Sequence, residues 1–157
     1  HVRTRNNGIY GIRAKVFSQL QQSLAYEHDT VKDNAVQVRL YIKEPAKILE
    51  DIYVSGWVTG SEVEKARDIF EKWFQNKVRV IHMDHTKPWG QRVEIAAKVD
   101  LAKIDVNNLY FYSYDKKSSR YSMIRKPNSW VDANGYLHFY TDMAADIVIS
   151  EGPLVKR

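Results

Sequence analysis

Trp130-Val131-Asp132-Ala133-Asn134-Gly135-Tyr136-Leu137-His138-Phe139-Tyr140 reads as two short strands joined by a tight reversal. Asn134 and Gly135 both tolerate positive φ, which makes the pair a strong hairpin signal. Working outward, the same rhythm recurs. Val78 to Met83, Arg92 to Leu101, Leu109 to Tyr114 and Arg120 to Ile124 are strand-like upstream, and Asp146 to Ser150 is strand-like downstream. They are separated by Lys87-Pro88-Trp89-Gly90, Asp115-Lys116-Lys117-Ser118-Ser119 and Pro127-Asn128, all rich in turn formers. Short strands at this spacing predict an antiparallel β-sandwich-like arrangement.

The first half carries fewer signals. Residues 8–16 suit a strand punctuated by glycine, and Phe17 to Tyr26 reads as a polar loop or short helix. Ala35 to Ile42 alternates cleanly, with Val36, Val38 and Leu40 on one face, as a half-buried strand does. Ile52 to Val58 is another strand. A helix is expected over 61–76. Ser61 and Glu64 have capping-box spacing, and Val63, Ala66, Ile69, Phe70, Trp73 and Phe74 share one face as core packing. The chain is therefore expected to be mainly β (α+β), sandwich-like with one amphipathic helix. It divides into two small subdomains, residues 1–77 including the helix and residues 78–157.

At 157 residues the chain is long enough to bury a core without staples. It has no cysteine, which excludes disulfides, thiolate metal sites, iron–sulfur clusters and thiol nucleophiles. No apolar run reaches the roughly 20 residues of a membrane span, so no insertion is expected. The net charge of +5 raises nucleic acid as a partner, but acids are interleaved with bases throughout, so none is expected. The densest basic cluster, Lys116, Lys117 and Arg120, sits beside Asp115 at a hairpin tip and reads as a solvated loop. The opening His1-Val2-Arg3 has neither Met nor a hydrophobic leader, so the chain is expected to be a piece of a larger multidomain protein.

Four stretches carry a family resemblance: Val93 to Leu101, Asn108 to Asp115, Val131 to Phe139 and Ala145 to Leu154. Over residues 78–154 the chain resembles a β-rich module near the C-termini of secreted and cell-surface proteins of gut Gram-positive bacteria. The resemblance implies an extracellular, non-catalytic module; it carries over no catalytic or ligand-binding residue.

Three constellations bear on chemistry. His82, Asp84 and His85 bring two imidazoles and a carboxylate within four positions, a set able to hold a divalent ion or assist a metal-dependent reaction. A polar strand end running into a turn is the simpler account of them. No nucleophile elbow, phosphate-binding glycine loop or His-Glu-x-x-His appears, and no cofactor is expected. Finally, Tyr110, Tyr112 and Tyr114 alternate on one strand face, a row that stacks on sugar rings if solvent reaches it. Trp89 and Trp130 sit in loop-like contexts and are further candidates for such stacking. The competing reading packs the tyrosines under the helix.

The expected function is a non-catalytic extracellular interaction or spacer module, with polysaccharide bound through these rings as its expected ligand. A module that is purely structural or adheres to another surface protein, and a metal-binding site or metal-assisted enzyme at His82, Asp84 and His85, are the alternatives.

Overall fold

The computed structural model describes residues 2–5, 11–12, 24–29, 36–42, 52–53, 56–83 and 86–157. Thirteen strands are described: β1 Val2–Arg5, β2 Gly11–Ile12, β3 Leu24–Asp29, β4 Val36–Ile42, β5 Ile52–Tyr53, β6 Gly56–Trp57, β7 Val78–Met83, β8 Lys87–Ala97, β9 Leu109–Asp115, β10 Arg120–Met123, β11 Trp130–Val131, β12 Leu137–Ala144 and β13 Asp146–Glu151. Among the described residues there is one helix, α1, Ser61–Trp73. The fold is mainly β and sandwich-like, as the strand rhythm predicts.

Six strands form sheet I in the order β1-β3-β4-β8-β12-β11, and five form sheet II in the order β10-β9-β13-β7-β6. The pairings are antiparallel except for β1 with β3, which run parallel. The strands β2 and β5 pair separately. Alternation along each strand sends every second side chain to the opposite face. On one face of sheet II, Ile81, Phe111, Ile147 and Ile149 join Val93, Ile95, Leu137 and Phe139 of sheet I in one buried cluster between the sheets. On its other face, Val78, Val80, Tyr112, Tyr114 and Val148 pack against Val63, Ala66, Phe70 and Phe74. Sheet II is thus the middle layer, with sheet I on one side and α1 on the other.

The helix starts differently from its sequence reading. Its N-cap is Gly60, at φ 114° and ψ 176°, and no side chain caps it. Ser61 is already the first helical residue, so the expected Ser61–Glu64 capping box does not form. Val63, Ala66 and Phe70 are buried, as the stripe predicts, whereas Trp73 at its margin is 37% exposed.

Strands also extend where turns were expected. Lys87 to Gly90 continues β8, pairing Lys87 and Pro88 with Ala144 and Met143 across an irregularity between Thr141 and Met143. Gly90 takes φ +77° and Pro88 pairs at the far side of that irregularity, so the local chemistry of a turn is spent on distorting a strand instead. Leu24 to Tyr26, read as loop or helix, opens β3, which lies between β1 and β4. Hydrogen-bonded pairing crosses residue 77: β4 pairs with β8, and β6 with β7. The helix and the C-terminal strands likewise share one core, so no division among the described residues falls at the expected boundary.

Candidate functional site

The tyrosine row lies beneath the helix. Tyr112 and Tyr114 are 6% and 2% exposed, and the Tyr114 ring meets Phe70 edge-on at 4.9 Å. Leu154 donates its backbone N–H to the Tyr112 hydroxyl at 3.1 Å. Tyr110 is half-buried against the same cluster. Trp89 is buried between the sheets with Met83 and Val93, and its indole N–H has no hydrogen-bond partner among the described residues. Of the five proposed stacking residues only Trp130 is well exposed, at 46%. The expected shared sugar platform is therefore not assembled. Once the helix was identified, its apolar stripe required an opposing apolar face, and these rings supply it.

Trp130 has a different partner. Its ring lies on His138 with centroids 3.8 Å apart and planes 4° apart. His138 is 3% exposed and sits between two carboxylates: Nδ1 is 3.2 Å from Glu94 Oε2, and Nε2 is 2.7 Å from Asp132 Oδ2. Tyr140 donates its hydroxyl to Glu94 Oε1 at 3.1 Å, extending the network along the outer face of sheet I.

The hairpin turn builds this network. Asp132 Oδ1 accepts the backbone N–H groups of Asn134 and Tyr136, at 2.8 and 3.0 Å, leaving Oδ2 for the imidazole. Only Gly135 takes positive φ, at 83°; Asn134 does not. The His138 hydrogen bond, followed by the Tyr136 N–H, holds the Asp132 carboxyl below its ordinary 3.8.

A second network lies where the first turn of α1 meets sheet II. Asp146 is 1% exposed; its Oδ1 accepts from His82 Nδ1 at 2.8 Å and from the Met83 N–H at 3.1 Å. Lys116, from the expected solvated hairpin tip, instead reaches Glu62 Oε2 at 2.9 Å and Asp146 Oδ2 at 3.5 Å. The Glu62 carboxyl is lowered to about 2, chiefly by its hydrogen bond from Lys116 and then by that from Lys65. Burial works against the Lys116 ammonium, but Glu62 and Asp146 outweigh it and raise the group above 10.5. Trp57 stacks on the His82 ring at 5.5 Å, and the two border a cavity of about 260 Å³ with Glu62.

These side chains bear on the metal reading. Asp84 and His85 lie outside the described residues. His82 Nδ1 faces Asp146 and stands 3.2 Å from the Lys116 ammonium, which already supplies the positive charge there. Among the described residues no group of three or more His, Asp or Glu is arranged to hold a metal. Sequence reading missed Asp146 and Lys116 as partners of His82, and Glu62 as the partner of Lys116. Their separations along the chain leave no local spacing to find.

A larger opening lies elsewhere. A cleft of about 770 Å³ lies at one end of the interlayer, bordered by Arg92, Tyr140, Thr141 and Asp142 of sheet I and by Ser113, Ser122 and Arg125 from the β9–β10 side. Among the described residues no helix is long and apolar enough to cross a membrane. Neither a protein-family model nor a curated protein sequence matches the chain.

Proposed function

We propose that the chain is a non-catalytic interaction module of a larger secreted or cell-surface protein. The observation that carries this reading is the use made of its reactive side chains. His138 is held by carboxylates at both nitrogens and His82 by one at Nδ1, each in a packed network that fastens one element to another. The large cleft, in turn, is lined among the described residues by two arginines, hydroxyls and one carboxylate beside the apolar Pro88, Met123, Ile124 and Met143, with no imidazole beside a nucleophile. That is the chemistry of a recognition surface rather than of proton transfer. The extracellular setting rests on the resemblance of residues 78–154.

The test is retention of the folded chain on immobilised plant, mucin and wall polysaccharides and on extracellular-matrix proteins. Saturable retention on one class, with the retained polymer recovered unchanged in length and linkage, is the expected result. Shortening or modification of the polymer would overturn the non-catalytic reading. Retention on no class reduces the chain to a spacer and sinks the interaction reading.

A further inference from the structure

The interlayer core ends abruptly. Phe111 of β9 and Phe139 of β12 stack across it, centroids 4.7 Å apart. Two residues further along each strand, on the same inward face, the side chains shrink to Ser113 and Thr141. Ser122 of β10 stands opposite Ser113 in register, so a second small hydroxyl faces the same gap. Small polar residues at inward positions leave the sheets unfilled there, and the 770 Å³ cleft begins where the phenylalanines stop. Gly90 opens the wall further, since even a Cβ at that position would touch nothing within 4 Å.

We propose that this cleft binds a saccharide bearing carboxylates, of the uronic or sialic acid type, through Arg125 and Arg92 at the wall and the hydroxyls of Ser113, Ser122 and Thr141 at the floor. The inference rests on the interaction-module reading and names its ligand class. Size comes first: the volume lies within the few-hundred to 1,000 Å³ of small-ligand sites and far exceeds a bare anion. Charge comes second. Two arginines and one acid, Asp142, line the cleft, and the segment 117–126 adds Lys117, Arg120 and Lys126 with no acid among them.

Arg125 is exposed and makes no hydrogen bond or ion pair with the described residues, so its donor fork is available for bidentate capture of a carboxylate. Arg92 is anchored instead. It donates from Nη2 to the Lys126 carbonyl and lies 5.1 Å from the centroid of the Tyr140 ring. That stacking covers a face of Tyr140, the one aromatic ring among the described residues of the cleft, which disfavours stacking a neutral sugar there. Recognition therefore falls to charge and to hydroxyl pairing, in which Asp142 accepts from ring hydroxyls.

The experiment is calorimetric titration of the whole chain with oligogalacturonate and sialyllactose, against neutral galactan oligomers and lactose, and with poly-glutamate as a sugar-free polyanion. Acidic saccharides are expected to bind at least about tenfold more tightly than their neutral counterparts, with affinity falling as salt rises. Arg125→Ala should weaken that binding about tenfold, the loss of one charge-assisted contact, and Arg125→Lys should recover only part. Arg125 has no described partner to lose, so the variant keeps the wild-type melting temperature. Equal binding of neutral sugars, equal binding of poly-glutamate, or no effect of Arg125→Ala overturns the assignment. Retention of the chain on neutral polysaccharide or protein, with no binding of acidic sugars, overturns the cleft while leaving the interaction module standing.

Discussion

Asp132 Oδ2 lies 2.7 Å from His138 Nε2, while Oδ1 of the same carboxylate caps the turn that brings β11 against β12. One side chain therefore sets the hairpin and holds a buried imidazole on the sheet it closes. Because the folded-state value of Asp132 is depressed, its contribution is present above the ordinary 3.8 and is lost as pH falls through the lower folded value. Melting of the wild-type chain from pH 6 downward should show a decline starting near pH 4. Asp132→Asn keeps the turn acceptor but should start lower and fall less steeply over that window. Parallel acid profiles for the two proteins would show that the contact contributes nothing to folding.

Lys116 and Asp146 make a second, asymmetric pair, 37% and 1% exposed at their side chains. Asp146 Oδ2 is buried with no hydrogen-bond partner among the described residues, and removing the ammonium takes away the cation 3.5 Å from it. Breaking buried pairs costs about 3–5 kcal/mol; with Lys116 over a third exposed, Lys116→Met should cost less, about 1–2 kcal/mol. Asp146→Asn should cost less in the Lys116→Met background than in the wild type, and chemical denaturation of the four proteins measures that coupling. Additive losses would mean the two side chains do not interact. The outer contact, Lys116 with Glu62, is solvent-screened and worth at most about 1 kcal/mol. The Glu62 part is lost between about 4.5 and 2 on acidification, and the Lys116 part only above 10.5.

The tyrosine row should answer in stability rather than in binding. Tyr114→Ala opens a hole against Phe70 and should cost about 3–5 kcal/mol, the range for large aromatics in a core. Tyr112→Phe should cost about 1 kcal/mol by orphaning the Leu154 N–H. Trp130→Ala, at an exposed ring, should cost less than Tyr114→Ala. If thermal denaturation ranks Trp130→Ala above Tyr114→Ala, the placement of these rings is wrong.

Periodicity made the layers legible, because a helix stripe and alternating strands each state which face is apolar. Val63, Ala66 and Phe70 on α1, and Ile147 and Ile149 on β13, follow that logic directly. What could not be read were relations set by register between distant segments. Asp146 reaches His82 across 64 positions, and Glu94 reaches His138 across 44. No local pattern encodes either pairing. Turn chemistry misled at Lys87 to Gly90, where Pro and Gly distort a strand rather than end one. It was right at Gly135. The cleft escaped for a related reason: Ser113 and Ser122 look like ordinary strand residues until pairing shows that both occupy inward positions.

Trp89 offers the clearest separation of size from polarity. Its ring is 3% exposed among Ile81, Val93 and Phe139, yet its indole N–H meets no acceptor among the described residues. A buried donor without a partner costs about 1–3 kcal/mol, so removing the N–H recovers part of what is lost with the larger ring. Trp89→Phe should therefore lie within about 1.5 kcal/mol of wild type, while Trp89→Ala, which empties the site, should cost about 3–5 kcal/mol. Equilibrium denaturation in guanidinium separates the two. A loss for Trp89→Phe as large as for Trp89→Ala would mean that the indole N–H is bonded after all, and that its polar contact rather than its bulk holds this end of the interlayer together.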